Sequence, residues 1–179
     1  GLSPELSGTL VMLSDSAASA KILASQKLGS LRAPKPQERA IVFACLLSSL
    51  QHESQPQVLA ALIEGLAAHA DLIASGGEPL ATAAREIVKR LAENFAALSA
   101  SAQKLLAALG ATRRPAVAED LWREVERSSD RVLRGFIQTA VAPMEHSPDF
   151  RRRFASTVAR DLAAAPGGDL ATRRLVDAS

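Results

Sequence analysis

A chain of 179 residues is long enough to bury a core of its own. Ala and Leu dominate its 47% apolar share, aromatic residues make up 3% and Tyr is absent, which favours helices over strands. The net charge of +2, with acids interleaved among arginines, argues against nucleic-acid binding; the single cysteine rules out an intramolecular disulfide or a multi-Cys zinc site.

Helix signals follow one another along the whole chain. Ser3-Pro4 reads as a cap and first-turn proline. The first helix is expected in two pieces around Ser14-Asp15-Ser16, ending at Gly29. LRAPKP, residues 31–36, is a linker, and a second helix runs from about Gln37 to Leu50 with Cys45 on its apolar stripe. Val58, Leu59, Leu62, Ile63, Leu66 and Ala70 mark a third helix, which Gly76-Gly77 closes shortly after Ile73. Pro79 restarts the chain, and Leu80, Ala84, Ile87, Val88, Leu91, Phe95 and Leu98 form the clearest amphipathic face.

A short helix from about Ala100 to Leu109 is expected to stop at Gly110. After the turn Thr112-Arg113-Arg114-Pro115, the periodicity predicts one long helix from about Ala116 to Ala142. Its apolar stripe is Ala118, Trp122, Val125, Val132 and Phe136, interrupted by Ser129, with Leu121, Leu133 and Ile137 on the flank. On its charged face, Arg127 with Glu124 and Arg134 with Asp130 have productive spacing. Ser147-Pro148 opens a further helix to about Ala165, and a helical tail covers about Asp169 to Val176.

These elements predict an all-α fold, an irregular bundle of seven or eight helices without a repeat period. The reading is a single helical domain over residues 1–179, cut from a larger protein. Its least regular connections lie near 29–36 and 110–115, so any two lobes would be 1–110 and 111–179. No apolar run approaches the roughly 20 residues of a membrane span, so the domain is expected to be soluble, in a reducing compartment.

The chain offers little catalytic chemistry. His52, His69 and His146 are scattered, with no spacing that puts two metal ligands on one helical face, and no metal or other cofactor is implied. Two of the three border turns, where exposed histidine is common. Cys45 lies among Phe43, Ala44, Leu46 and Leu47, which suits core packing better than nucleophilic chemistry. Ser75-Gly76-Gly77-Glu78 and Pro166-Gly167-Gly168-Asp169 lack the lysine and glycine spacing of a phosphate loop.

Basic residues stand out instead. From Arg113 onward the chain has twelve arginines and no lysine. Arg113 and Arg114 form an exposed knob, Arg127, Asp130 and Arg131 crowd the middle of the long helix, and Arg151 leads a run of three arginines. These six residues are the candidate partner-binding set.

Within ERSSDRVLRGF, residues 126–136, the stretch Ser128-Ser129-Asp130-Arg131-Val132 resembles the Cys-x-Asp-Arg-Val stretch of the novel E3 ubiquitin ligase family, helical effectors that bacteria deliver into host cells. The position of that family's cysteine is held here by Ser128, whose hydroxyl forms no thioester. The resemblance therefore implies a cysteine-independent ligase, which recruits a host ubiquitin-conjugating enzyme in the host cytoplasm and promotes transfer from that enzyme's thioester. The residues themselves, which lack a catalytic constellation but carry several amphipathic faces and basic loops, favour a helical protein-interaction module of a larger bacterial protein, with a protein partner.

Overall fold

The computed structural model describes residues 1–31 and 35–164. Ten helices and no strand occur among them: α1 Pro4–Met12, α2 Ala18–Gly29, α3 Pro36–His52, α4 Pro56–Ala67, α5 Ala70–Ala74, α6 Glu78–Glu93, α7 Phe95–Ala111, α8 Pro115–Val125, α9 Arg131–Val141 and α10 Pro148–Ala164. The all-α class is therefore as read from the sequence. The helix count exceeds seven or eight because two expected helices are each divided, one into α4 and α5, the other into α8 and α9. The expected tail, the turn at residues 166–169 and part of the linker lie outside the described residues.

Many boundaries follow the local chemistry. The Ser3 hydroxyl accepts from the Leu6 amide at 3.2 Å, capping α1. Asp15 accepts from the Ala17 amide at 2.8 Å in the turn before α2. Gly76 and Gly77 take φ of 99° and 70°, a conformation that costs glycine little, and thereby end α5 and aim α6. Asn94, with φ of −143°, separates α6 from α7, so Phe95 and Leu98 begin a new helix and Gly110 lies inside it.

The chain clusters into two compact units, Gly1–Glu145 and His146–Ser179, a division further along than the expected lobe boundary at Gly110. In the first unit α4 is central, packed against α2, α3 and α7. Its buried residues, including Val58, Leu59, Leu62, Ile63 and Leu66, surround the helix, as an interior helix requires. Helices α2 and α4 nearly touch: a Cβ on Gly65 would lie 3.0 Å from the Ser25 carbonyl oxygen, and one on Gly29 would lie 3.0 Å from the Gly65 Cα. Small residues at this crossing therefore set the helix separation.

Buried charge is used to close helix ends. Arg90 on α6 donates to the carbonyl oxygens of Leu50 and Gln51 at 3.3 and 3.0 Å, at the end of α3, and lies 3.7 Å from Glu86. A cation there meets carbonyls that have no intrahelical donor and the negative end of the helix dipole. In the second unit the Ser147 hydroxyl accepts from the Phe150 amide at 3.3 Å, and the rings of His146, Phe150 and Phe154 cluster with centroids 5.1 to 5.6 Å apart.

Candidate functional site

The expected long helix from Ala116 to Ala142 breaks at residues 126–130. The sequence there, Glu-Arg-Ser-Ser-Asp, offers the backbone local partners that compete with a helix. The Ser128 hydroxyl accepts from the Asp130 amide at 3.2 Å, and an Asp130 carboxylate oxygen accepts from the Leu133 amide at 3.1 Å, making Asp130 the N-cap of α9.

Arg134 holds the break in shape. Its guanidinium donates to the Val125 carbonyl at 3.0 Å and to that of Glu126, and stands 5.0 Å over the Trp122 ring. One side chain thus caps the C-terminal end of α8 and stacks on it.

The break changes which residues face inward. Leu133, Ile137 and Val141 are buried, so the expected flank of α9 is its core face. Ala118, Trp122 and Val125 of the expected stripe are buried in α8, but Val132 is 61% exposed and Phe136 half-buried, so the α9 part of that stripe faces outward instead. Together with Gly135, Thr139 and Ala140, Val132 and Phe136 form one wall of an open groove of about 650 Å³. The facing wall comes from α7, through Phe95, Gln103, Leu106, Ala107 and Gly110, and Pro143 and Met144 complete it.

Phe95 and Phe136 meet edge to face with centroids 5.3 Å apart. Met144 approaches Gly110, where an added Cβ would lie 3.4 Å from its Cγ. Above Gly135 there is nothing within 4 Å of an added Cβ, so the absence of a side chain there leaves the groove open. The lining has two polar side chains, Gln103 and Thr139, and the Thr139 hydroxyl donates back to the Gly135 carbonyl at 2.8 Å. Such a surface binds apolar side chains by burial and contributes no acid–base pair.

The sequence-derived candidates fall around this groove in part. Arg113 and Arg114 are exposed in the turn that follows Gly110, and Arg131 immediately precedes Val132. Arg113 has φ of 56°, a left-handed conformation that costs an arginine free energy where Gly or Asn normally terminates a helix. Arg127 is exposed in the break, and Asp130 is occupied as a cap. Among the described residues no hydrogen bond or ion pair engages the side chains of Arg113, Arg114, Arg127 or Arg131. Arg151 is exposed on α10 in the other unit.

The expected pairs on the charged face are replaced. Arg123 pairs with Asp120 at 3.0 Å and Glu119 at 3.7 Å, while Arg134 turns to backbone carbonyls. Cys45 is half-buried, not part of the sealed core, and lines a shallow hollow with Leu10, Leu13, Ile41 and Ser48. Ile41, on the same expected stripe, is 41% exposed.

His69, one of three histidines scattered through the sequence, is buried. It is 2% exposed and joins three helices. Its Nε2 lies 3.1 Å from the Leu28 carbonyl at the end of α2, and its Nδ1 accepts from Arg39 Nε of α3 at 3.3 Å. The two contacts require the neutral ring with hydrogen on Nε2. Arg39 also donates to both carboxylate oxygens of Asp71, and to the Ala68 carbonyl at 3.2 Å. Burial, with the nearby Arg39 charge, holds the His69 pKa below its ordinary value, and the hydrogen bond from Arg39 lowers that of Asp71.

Among the described residues no group of three or more His, Cys, Asp or Glu side chains is placed to hold a metal ion, and no helix is long and apolar enough to cross a membrane. Comparison with protein-family models, curated proteins and solved structures finds no match.

Proposed function

We propose that this chain is a helical protein-interaction module of a larger bacterial protein, and that it receives an apolar segment of a partner along the groove between α7 and α9. The observation that carries this reading is the outward-facing wall of α9, where Val132 and Phe136 stand beside the open space over Gly135. Contiguous apolar surface of this kind marks a binding groove, and two helices with small residues between bulky ones suit helix-in-groove recognition.

Gly135→Leu fills the groove without touching the core. Wild-type and variant proteins, matched by circular dichroism, are used to recover partners from a lysate, and each recovered partner is then purified and titrated against both. A purified partner bound at least about tenfold more weakly by the variant supports the reading. Equal affinity for every partner removes it.

The cysteine-independent ligase remains a second reading, favoured by the exposure of residues 129–132 on the approach to the groove wall. Ubiquitin chains formed with a panel of conjugating enzymes, and lost in Asp130→Ala, would promote it over the first.

A further inference from the structure

Resting on the groove reading, we infer that its occupant is an amphipathic helix of about three turns, bearing acidic residues at the end that lies beside Arg113 and Arg114. The α9 wall sets the length. A helix rises about 1.5 Å per residue, so an occupant of roughly eleven residues spans a wall of that size with apolar residues at i, i+4 and i+7. That spacing matches the outward set Val132, Phe136 and Thr139.

The charges set the polarity. At the Gly110–Met144 end, two exposed arginines have no partner among the described residues, against one exposed acid, Glu145. Arg113 is held there in a left-handed backbone conformation that an arginine adopts only at a cost, in the same short turn as Arg114. At the other end Arg127 and Arg131 are accompanied by Glu126 and Asp130, so that end is closer to neutral. A helix whose carboxylates lie over Arg113 and Arg114 also gains bidentate geometry from the guanidinium fork.

The test uses the whole 179-residue protein and a displayed library of helical peptides of about fifteen residues. Selected sequences are expected to combine an apolar stripe with acids clustered at one end. Arg113→Ala/Arg114→Ala should bind them roughly tenfold more weakly at low salt, a difference that shrinks as salt rises. Versions with the acids changed to Gln should bind wild-type and double-variant proteins alike. Selected peptides without acidic enrichment, or unaffected by the double substitution, overturn the charge argument and leave the groove reading standing. Peptides whose binding survives Gly135→Leu, or a library that yields no binder, overturn the groove reading itself. If the wild-type protein self-associates and Gly135→Leu abolishes it, the occupant is a second copy, and the acidic-helix proposal falls.

Discussion

Replacing Arg134 by Ala tests whether the break at residues 126–130 is actively held. The substitution removes donors from the Val125 carbonyl, at 3.0 Å, and from that of Glu126, and removes a cation 5.0 Å from the Trp122 ring centroid. A hydrogen bond from a charged donor contributes about 1.5–3 kcal/mol, and a cation over an aromatic ring at a partly exposed site about 0.5–1 kcal/mol. The two effects share one side chain and water replaces part of the loss, so the expected cost is about 2 kcal/mol. That corresponds to a fall in melting temperature of roughly 4–8 °C for a domain of this size.

Trp122 is the only tryptophan and the chain has no tyrosine, so urea unfolding followed by tryptophan fluorescence reads this site directly. The native emission should shift as the guanidinium leaves the ring. Arg134→Lys should recover only part of the loss, because an ammonium reproduces neither the fork nor the stacking. A stability within about 0.5 kcal/mol of wild type, with unchanged emission, would refute the assignment of Arg134 as the brace of the break.

Gly65→Ala places a Cβ 3.0 Å from the Ser25 carbonyl oxygen and should cost about 1–3 kcal/mol in urea unfolding, whereas a neutral result would mean that α2 and α4 separate easily. Arg113→Gly relieves a φ of 56° and should stabilise the domain by about 1 kcal/mol while weakening acidic partners; no gain in urea midpoint would mean that the turn is unstrained. His69 resists protonation in the folded chain, so below about pH 6.5 the unfolded chain binds the extra proton. Its contribution is complete above that value and is lost as pH falls towards the lowered folded pKa. The urea midpoint should therefore drop between about pH 7 and pH 5, and His69→Gln should flatten this step; equal slopes would contradict a neutral, proton-resisting His69 in the folded chain. The lowered carboxyl groups of Asp71 and of Glu53, where burial is outweighed by hydrogen bonds from the Gln55 and Ser54 amides and from Lys21, act in a separate window, losing their contribution below about pH 4.

The sequence signals that proved most legible were those that act locally. Ser3-Pro4, Gly29, Gly76-Gly77, Pro115 and Ser147-Pro148 stand where helices begin or end, because capping and proline geometry depend on neighbouring residues alone. The breaks after Ala67 and at residues 126–130 were hidden by apolar periodicity that continues across them. Asp130 carried the signal that could have revealed the second, since an aspartate preceded by two serines is a strong N-cap pattern.

Missing that break reversed the faces of α9. Val132 and Phe136 read as core, although they form the groove, and Leu133 and Ile137 read as flank, although they are buried. Of the candidate site, Arg113, Arg114 and Arg131 were legible as exposed basic residues, but the groove beside them was not, because it needs α7 and α9 side by side. Arg39, His69 and Asp71 are likewise joined across helices far apart in sequence, where no spacing rule applies. Arg134 was visible only as a surface charge, since its acceptors are carbonyls exposed by a break that periodicity conceals.

The claim that the α7–α9 groove is the docking surface is tested most directly by amide NMR of the protein titrated with a selected or native partner segment. Resonances of Ala107, Gly110, Gly135, Thr139 and Ala140 should shift together and saturate with the same affinity, and Gly135→Leu should abolish the response. Saturable shifts confined to the hollow around Ile41 and Cys45, with the groove residues unmoved, would contradict it.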